Sequence, residues 1–209
     1  RRQRQMCIRD SLYKYYLKYL CRQDFHFQYF SESQAKYFSG NKEKCHIIPL
    51  ALNDFGHSNK IPSPTSITFL SFGHIIETKN IGLLIRAAEE VKKCCKLPFK
   101  VRIVGHCRNW EPYQQLIKHP EIFDLSIKSM PDTDIPDLFA TTHYLVLPYK
   151  SVTQSGPLRI AYGYNTPVIA SDLEGFKESI INNVTGLLFK TDDVTSLASL
   201  MRNVIENPQ

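Results

Sequence analysis

Along the later two-thirds of this 209-residue chain, short apolar runs alternate with longer stretches whose apolar residues recur at helical spacing. ITFLSFG (67–73), FKVRIVG (99–105), DLSIKSM (124–130), HYLVLPY (143–149), PVIAS (167–171) and LLF (187–189) have strand length and end in, or are followed by, glycine, proline or polar residues. Between them, NIGLLIRAAEEVKKCC (80–95) repeats apolar positions with a helical period, and further helices are expected near 111–118, 135–142, 156–164, 175–180 and 195–206. Strands that read as nearly continuous apolar runs are buried on both sides. The pattern therefore predicts an α/β fold, a Rossmann-like parallel sheet with helices on both faces. Sheets of this kind bind ligands beyond the carboxyl ends of their strands. That directs attention to the segments after Gly73, Gly105, Met130, Tyr149 and Ser171.

The first sixty residues are less regular. LYKYYLKYL (12–20) reads as a helix with Lys14 and Lys18 on its wet side, a pattern that suits either a membrane surface or a neighbouring domain. FHFQYFSES (25–33) reads as a strand ending in a serine-rich cap, 34–38 as a short helix, and HIIPLALND (46–54) as a strand and turn. The Pro/Ser-rich connector NKIPSPTS (59–66) marks the expected boundary. The expected organisation is a tail over 1–11, a first segment over 12–60 and a main domain over 61–209.

Charge changes this picture little. The formal net charge is +6, but Arg1, Arg2, Arg4 and Arg9 all precede the first acid, Asp10, so a nucleic-acid reading rests on the extreme terminus. RRQRQMCIRDS (1–11) resembles a translated adaptor sequence and is set aside as a non-native tail. No apolar run approaches the roughly 20 residues that span a bilayer, and no basic-then-apolar leader is present. The expectation is a cytoplasmic protein, with peripheral contact at the inner face of a membrane left open. The cysteines Cys7, Cys21, Cys45, Cys94, Cys95 and Cys107 form no CxxC pair, so reduced thiols are expected, with no metal and no disulfide framework.

Two strand ends carry candidate chemistry. After Gly73 come His74 and Lys79 within one short loop, close enough in sequence to share an anion. Lys79 is the stronger of the two, because its charge does not depend on pH near neutrality. Ser155-Gly156-Pro157 opens a helix, and amides at such a head attract phosphate or carboxylate, although the same triplet is also ordinary loop-to-helix punctuation. Neither GxGxxG nor GxxxxGK[ST] occurs, which argues against the usual dinucleotide fingerprint and the P-loop.

Taken together, FGHIIETKNIGLLIRA, VRIVG, IPDLFATTHYLVLPYKSVTQSG, TPVIASDLEGFKESI and NNVTGLLF, in that order, resemble the carboxyl-terminal half of a glycosyltransferase of family 4 with the GT-B fold. The resemblance is strong over the carboxyl-terminal two-thirds and looser over 25–54, the tail of an amino-terminal domain. It implies a retaining enzyme that moves a sugar from a nucleotide-diphosphate donor, UDP- or GDP-linked, to a glycan or lipid-linked acceptor in polysaccharide or glycoconjugate synthesis. No further cofactor and no metal is implied. The partners are the donor, the acceptor and the rest of the amino-terminal GT-B domain, without nucleic acid.

Carried over by position, the resemblance makes Gly73 the turn glycine and Lys79 the diphosphate-binding lysine. His74 stands where the family has arginine, which makes that contact pH-dependent. Lys79 and His74 are the implied catalytic pair. Donor-binding positions are Gly73, Ser129 and Met130 at the strand end that holds the base, then Thr153, Gln154, Ser155, Gly156, Leu158 and Glu178. The two glutamates that flank the helix head in the family are absent: the first position falls at Thr153 or Gln154 and the second at Ile160. The TQSG form resembles a branch tied to surface-polysaccharide assembly. The alternative is a domain of the same fold that binds nucleotide sugar without turnover. His143 and the Asn183-Val184-Thr185 turn are read as structural.

Overall fold

The computed structural model describes residues 15–208 except Leu17, Tyr37, Ser39, Pro49, Leu50, Leu52 and Asn53. It divides the chain into two units, 1–50 and 51–209. The terminal tail and the start of the first expected helix lie outside the described residues, whereas Tyr15, Tyr16 and residues 18–20 are helical. In the first unit, strands β1 (Phe27–Tyr29) and β2 (Cys45–Ile47) pair in parallel, with Gln28 opposite His46. The short helix α1 (Glu32–Ala35) begins earlier than the pattern predicts. Phe38 is instead part of the return, with its ring 5.0 Å from that of Phe27.

The second unit is built on a parallel sheet of six strands: β3 (Ile67–Phe72), β4 (Phe99–Val104), β5 (Phe123–Ser126), β6 (Tyr144–Leu147), β7 (Val168–Ser171) and β8 (Gly186–Phe189). The spatial order is β5-β4-β3-β6-β7-β8, so the chain first works outward to one edge and then returns to the centre and works outward to the other. The crevice between β3 and β6 is the point where that direction reverses. Helices α2 (Ile81–Cys94), α3 (Glu111–Gln114), α4 (Ile135–Ala140), α5 (Gly156–Gly163), α6 (Glu174–Lys177) and α7 (Val194–Glu206) connect or follow the strands.

Successive apolar side chains along each strand point to opposite faces and feed two cores. Phe69, Val101, Ile103, Val146 and Ile169 pack with α2 and α7 on one face, while Leu70, Val104, Leu145, Leu147 and Ala170 pack with α4, α5 and α6 on the other. Each such valine, leucine, isoleucine or phenylalanine side chain, fully withdrawn from water, contributes about 1.5–3 kcal/mol. The parallel α/β class with helices on both faces is thus the observed one. Among the described residues, no helix is long and apolar enough to cross a membrane.

The connector belongs physically to the second unit. Asp137 on α4 accepts from Ser58 Oγ at 2.6 Å and pairs with Lys60 Nζ at 2.7 Å, and the Tyr164 hydroxyl donates to the Gly56 carbonyl at 2.9 Å. His143 has the structural role expected of it: its Nδ1 accepts from the Thr68 amide, and burial holds its pKa below the ordinary imidazole value.

The helix expected over 111–118 stops at Gln114 and gives way to three-residue turns. Its cause is Glu89, a buried carboxylate on α2. One of its oxygens accepts from the Lys118 amide at 2.7 Å and the His119 amide at 3.0 Å, and the other meets His119 Nδ1 at 2.6 Å. Those bonds draw the chain away from a helical path. Burial raises the Glu89 pKa, but the bonds from His119 and Lys118 outweigh it and leave the net shift downward. Glu89→Ala is expected to destabilise the fold by about 2–3 kcal/mol, because two amides lose their acceptor. The wild-type advantage, measured by urea denaturation, should be complete above the unfolded-state carboxyl pKa and fade as pH falls through the folded one.

Candidate functional site

Two glycines allow the carboxyl ends of β3 and β4 to meet. Gly73, at φ 106°, donates its amide to the Val104 carbonyl, and Gly105, at φ 153°, donates to Ser126. They touch so closely that a Cβ on Gly105 would stand 1.9 Å from the Gly73 carbonyl oxygen. Gly73 in turn faces the head of α5, where a Cβ would lie 3.6 Å from Pro157 Cγ. The two segments singled out by sequence, the turn after β3 and the head of α5, are therefore neighbours.

From Gly73 the chain passes through a tight turn over Glu77–Lys79, and Asn80 enters α2 in the left-handed conformation. Asn80 Nδ2 holds this conformation by donating to Asp192 Oδ1 at 2.7 Å. The loop is stitched to the end of β6, since Lys150 donates its amide to the Thr78 carbonyl at 2.9 Å and its ammonium lies 3.4 Å from Glu77. Lys79 Nζ consequently stands 3.7 Å from the centre of the Tyr149 ring. It makes no ion pair among the described residues, and burial alone lowers its pKa to about 8. A cation so withdrawn from water and left unpaired is poised for an anion.

Tyr149 is itself 3% exposed, packed at 5.3 Å against Phe176. Burial pushes its hydroxyl up to about 12, partly offset by the neighbouring Ser155 hydroxyl, and Tyr149 Oη has no hydrogen bond of good geometry. Ser171 Oγ fixes the backbone by donating to the Tyr149 carbonyl at 2.8 Å.

The head of α5 is narrower than its sequence suggests. Ser155 is the cap, and its Oγ accepts the Leu158 amide at 3.3 Å, while Arg159 N bonds the Ser155 carbonyl. Pro157 stands at the second helical position and has no amide to offer. Gly156 is left as the amide with no acceptor among the described residues, and the space beside its Cα is open.

The other predicted residues spread around this centre. His74 is exposed, its ring 6.2 Å from that of His106 on the next strand end. Ser129 is exposed and Met130 is half-buried against the α4–α6 core. Thr153 is exposed and Gln154 half-buried in the loop before the cap, and Glu178 is exposed at the end of α6. Leu158 is in the core, and Ile160 packs against it. Sequence reading passed over Tyr149 as a side chain, and also Lys150 and His106. The available signal was an aromatic and a lysine placed directly after a buried strand. No group of three or more potential metal ligands gathers among the described residues.

A hollow of about 910 Å³ lies at the opposite, amino ends of the strands, bounded by Tyr144, Thr166 and Pro98. Three of its polar side chains are engaged: His143 with Thr68, Lys60 with Asp137, Tyr164 with Gly56. The unpaired cation and the open amide are at the other end.

A family model for Glycosyl transferases group 1 matches residues 66–207. No curated protein matches the chain. Among solved structures it is similar to a glycosyltransferase from Rickettsia africae ESF-5, at 17% identity and TM-score 0.77 over 94% of this chain and 57% of that one. It is similar also to Anabaena HepE in complex with UDP and glucose, at 17% identity and TM-score 0.71 over 91% of this chain and 56% of that one. A third is S. aureus TarM, at 18% identity and TM-score 0.72 over 87% and 36%. At these identities the likeness speaks for the fold, a GT-B one, and this chain spans 36–57% of those three proteins.

Proposed function

The chain belongs to the group 1 glycosyl transferases, and from that premise we propose that its second unit is the donor-binding half of a retaining enzyme that transfers a sugar from a nucleotide-diphosphate donor to a glycan or lipid-linked acceptor. The observation that carries this reading is the unpaired Lys79 ammonium at the β3–β6 crevice, next to the Gly73 turn that faces the head of α5. HepE, a structural relative, is described with UDP and glucose bound, which supports the same ligand class.

In the proposed reaction the bond from the sugar's anomeric carbon to the diphosphate breaks, the electron pair leaves with the nucleoside diphosphate, and an acceptor oxygen bonds on the same face and passes its proton to an oxygen of the departing diphosphate. Negative charge grows on the terminal phosphate as it departs. Lys79 and the Gly156 amide oppose it, and His74 adds to them when protonated. Thr153 and Gln154 offer neutral hydrogen bonds to sugar hydroxyls. Ser129, Met130 and Glu178 complete the donor side. No added cofactor or metal has a part in this scheme.

A second reading, a nucleotide-sugar binder without turnover, draws support from Ile160, which packs into the core at a position where the resembling family carries an acid. Calorimetric titration of the chain with UDP, GDP and ADP tests the first step: one of UDP or GDP is expected to bind and ADP to bind more weakly. Absence of binding by all three overturns the donor-site reading. Hydrolysis or transfer from the matching nucleotide sugar by a version carrying both GT-B domains separates enzyme from binder.

A further inference from the structure

We propose that Tyr149 is the positioning residue for Lys79: its ring face, in place of a carboxylate, holds the ammonium at the β3–β6 crevice in the orientation in which it meets the donor diphosphate. This deepens the donor-site reading and rests on it. A half-buried lysine is held by a partner, and the usual partner is an acid. An acid here would neutralise the cation and then repel the incoming diphosphate. An aromatic face attracts a cation without net charge, so it orients Lys79 and leaves the full positive charge for the ligand.

The surroundings are arranged in this way. The nearest acid on the same turn, Glu77, pairs with Lys150 at 3.4 Å. The other titratable groups about the crevice are His74 on the same loop, His106 and Cys107 after β4, Tyr113 on α3 and Lys150 after β6, and burial is the only cause that lowers the Lys79 pKa. Tyr149 itself is immobilised on three sides, by Phe176, by Ser171 Oγ on its carbonyl, and by the Lys150–Thr78 stitch that follows it. Its hydroxyl has no hydrogen bond of good geometry, and it is the ring face that meets the Lys79 ammonium.

The sign of the pH effect follows. Lys79 titrates near 8 when unliganded and must be charged to hold a diphosphate, so binding takes up about half a proton per site at pH 8 and almost none at pH 7. Apparent affinity should fall about twofold at pH 8 and about tenfold at pH 9 relative to pH 7.

Four measurements on the full chain test the proposal. NMR of lysine-labelled wild type, with no nucleotide present, should show one ε-methylene shifted upfield by an adjacent ring and titrating near pH 8. Titration with UDP and GDP in phosphate and Tris buffers at pH 8 reads the proton uptake. Tyr149→Phe should keep the ring shift, the affinity and the uptake. Tyr149→Leu should lose the shift, weaken binding at least fivefold and abolish the pH 8 uptake, with circular dichroism reporting its fold. An unshifted Lys79 in the wild type overturns the proposal whatever the variants do. So does a folded Tyr149→Leu that binds like wild type. If neither nucleotide binds the wild type, or if binding ignores Lys79→Ala, it is the donor-site reading that fails, and with it the role of the ring contact.

Discussion

Gly105→Ala is expected to cost the second unit at least about 4 kcal/mol, the range reached when a new atom is forced against fixed structure at a strained backbone position. The added Cβ would stand 1.9 Å from the Gly73 carbonyl oxygen, and that neighbour is backbone, so no side-chain rotation relieves the clash. The left-handed-side φ of 153° adds strain for any residue with a Cβ. Only parting β3 from β4 at their carboxyl ends would make room, and this would also shift the Gly73 turn that carries Lys79. Gly156→Ala is the matched control, with open space around the new atom and an expected change within about 0.5 kcal/mol. The urea midpoints of the two variants check this. A Gly105→Ala chain with the parental midpoint would falsify the close approach of the two strand ends.

Lys79→Met is expected to bind donor nucleotide about ten- to a hundredfold more weakly, the worth of a hydrogen bond to a charged group, while raising stability. The second half of this prediction follows from the pKa of about 8. A lysine depressed from its ordinary 10.5 is a charge the fold tolerates at a cost: its contribution is most favourable above 10.5 and declines as pH falls toward 8. Methionine has no such cost. The variant should therefore gain on the order of 1 kcal/mol at pH 7, a figure already reduced for the water that still reaches a half-buried ammonium, and the gain should vanish above pH 10.5. Chemical denaturation at pH 7 and at the highest pH the fold tolerates, set beside calorimetric titration with UDP and GDP, measures both. A variant equally weak in binding and in stability would mean that Lys79 is a structural cation.

The sheet was legible because its strands are buried on both sides. Phe69 and Leu70 are adjacent in sequence and enter opposite cores, so the run carries no alternation and reads as a covered strand. Strand order was not legible, because apolar runs declare that a strand is buried without declaring its neighbours. The helix expected over 111–118 stops short for a different reason: its apolar period continues through Leu116 and Ile117, yet Glu89, some 30 residues earlier, claims the amides of Lys118 and His119. At the site, Lys79 was visible as a cation just past a turn glycine. Tyr149 was hidden, since an aromatic closing an apolar run looks like core, and by burial it is core. Only the approach of two loops far apart in sequence reveals that one face of its ring is occupied by an ammonium. Likewise Ser155-Gly156-Pro157 announced a helix head but not how few amides it would leave open. That number depends on the rotamer of one serine.

The Ser155 cap has a bearing on competition. With Leu158 N–H occupied and Pro157 offering none, Gly156 is the one amide of the first three helical positions of α5 left without an acceptor among the described residues, a poor trap for inorganic phosphate or any other small anion. Appreciable affinity requires a ligand long enough to engage Gly156 and Lys79 together, because the second contact, once the first has formed, is made at high effective concentration. On the proposed donor site, this favours a diphosphate that engages both groups over a monophosphate that engages one.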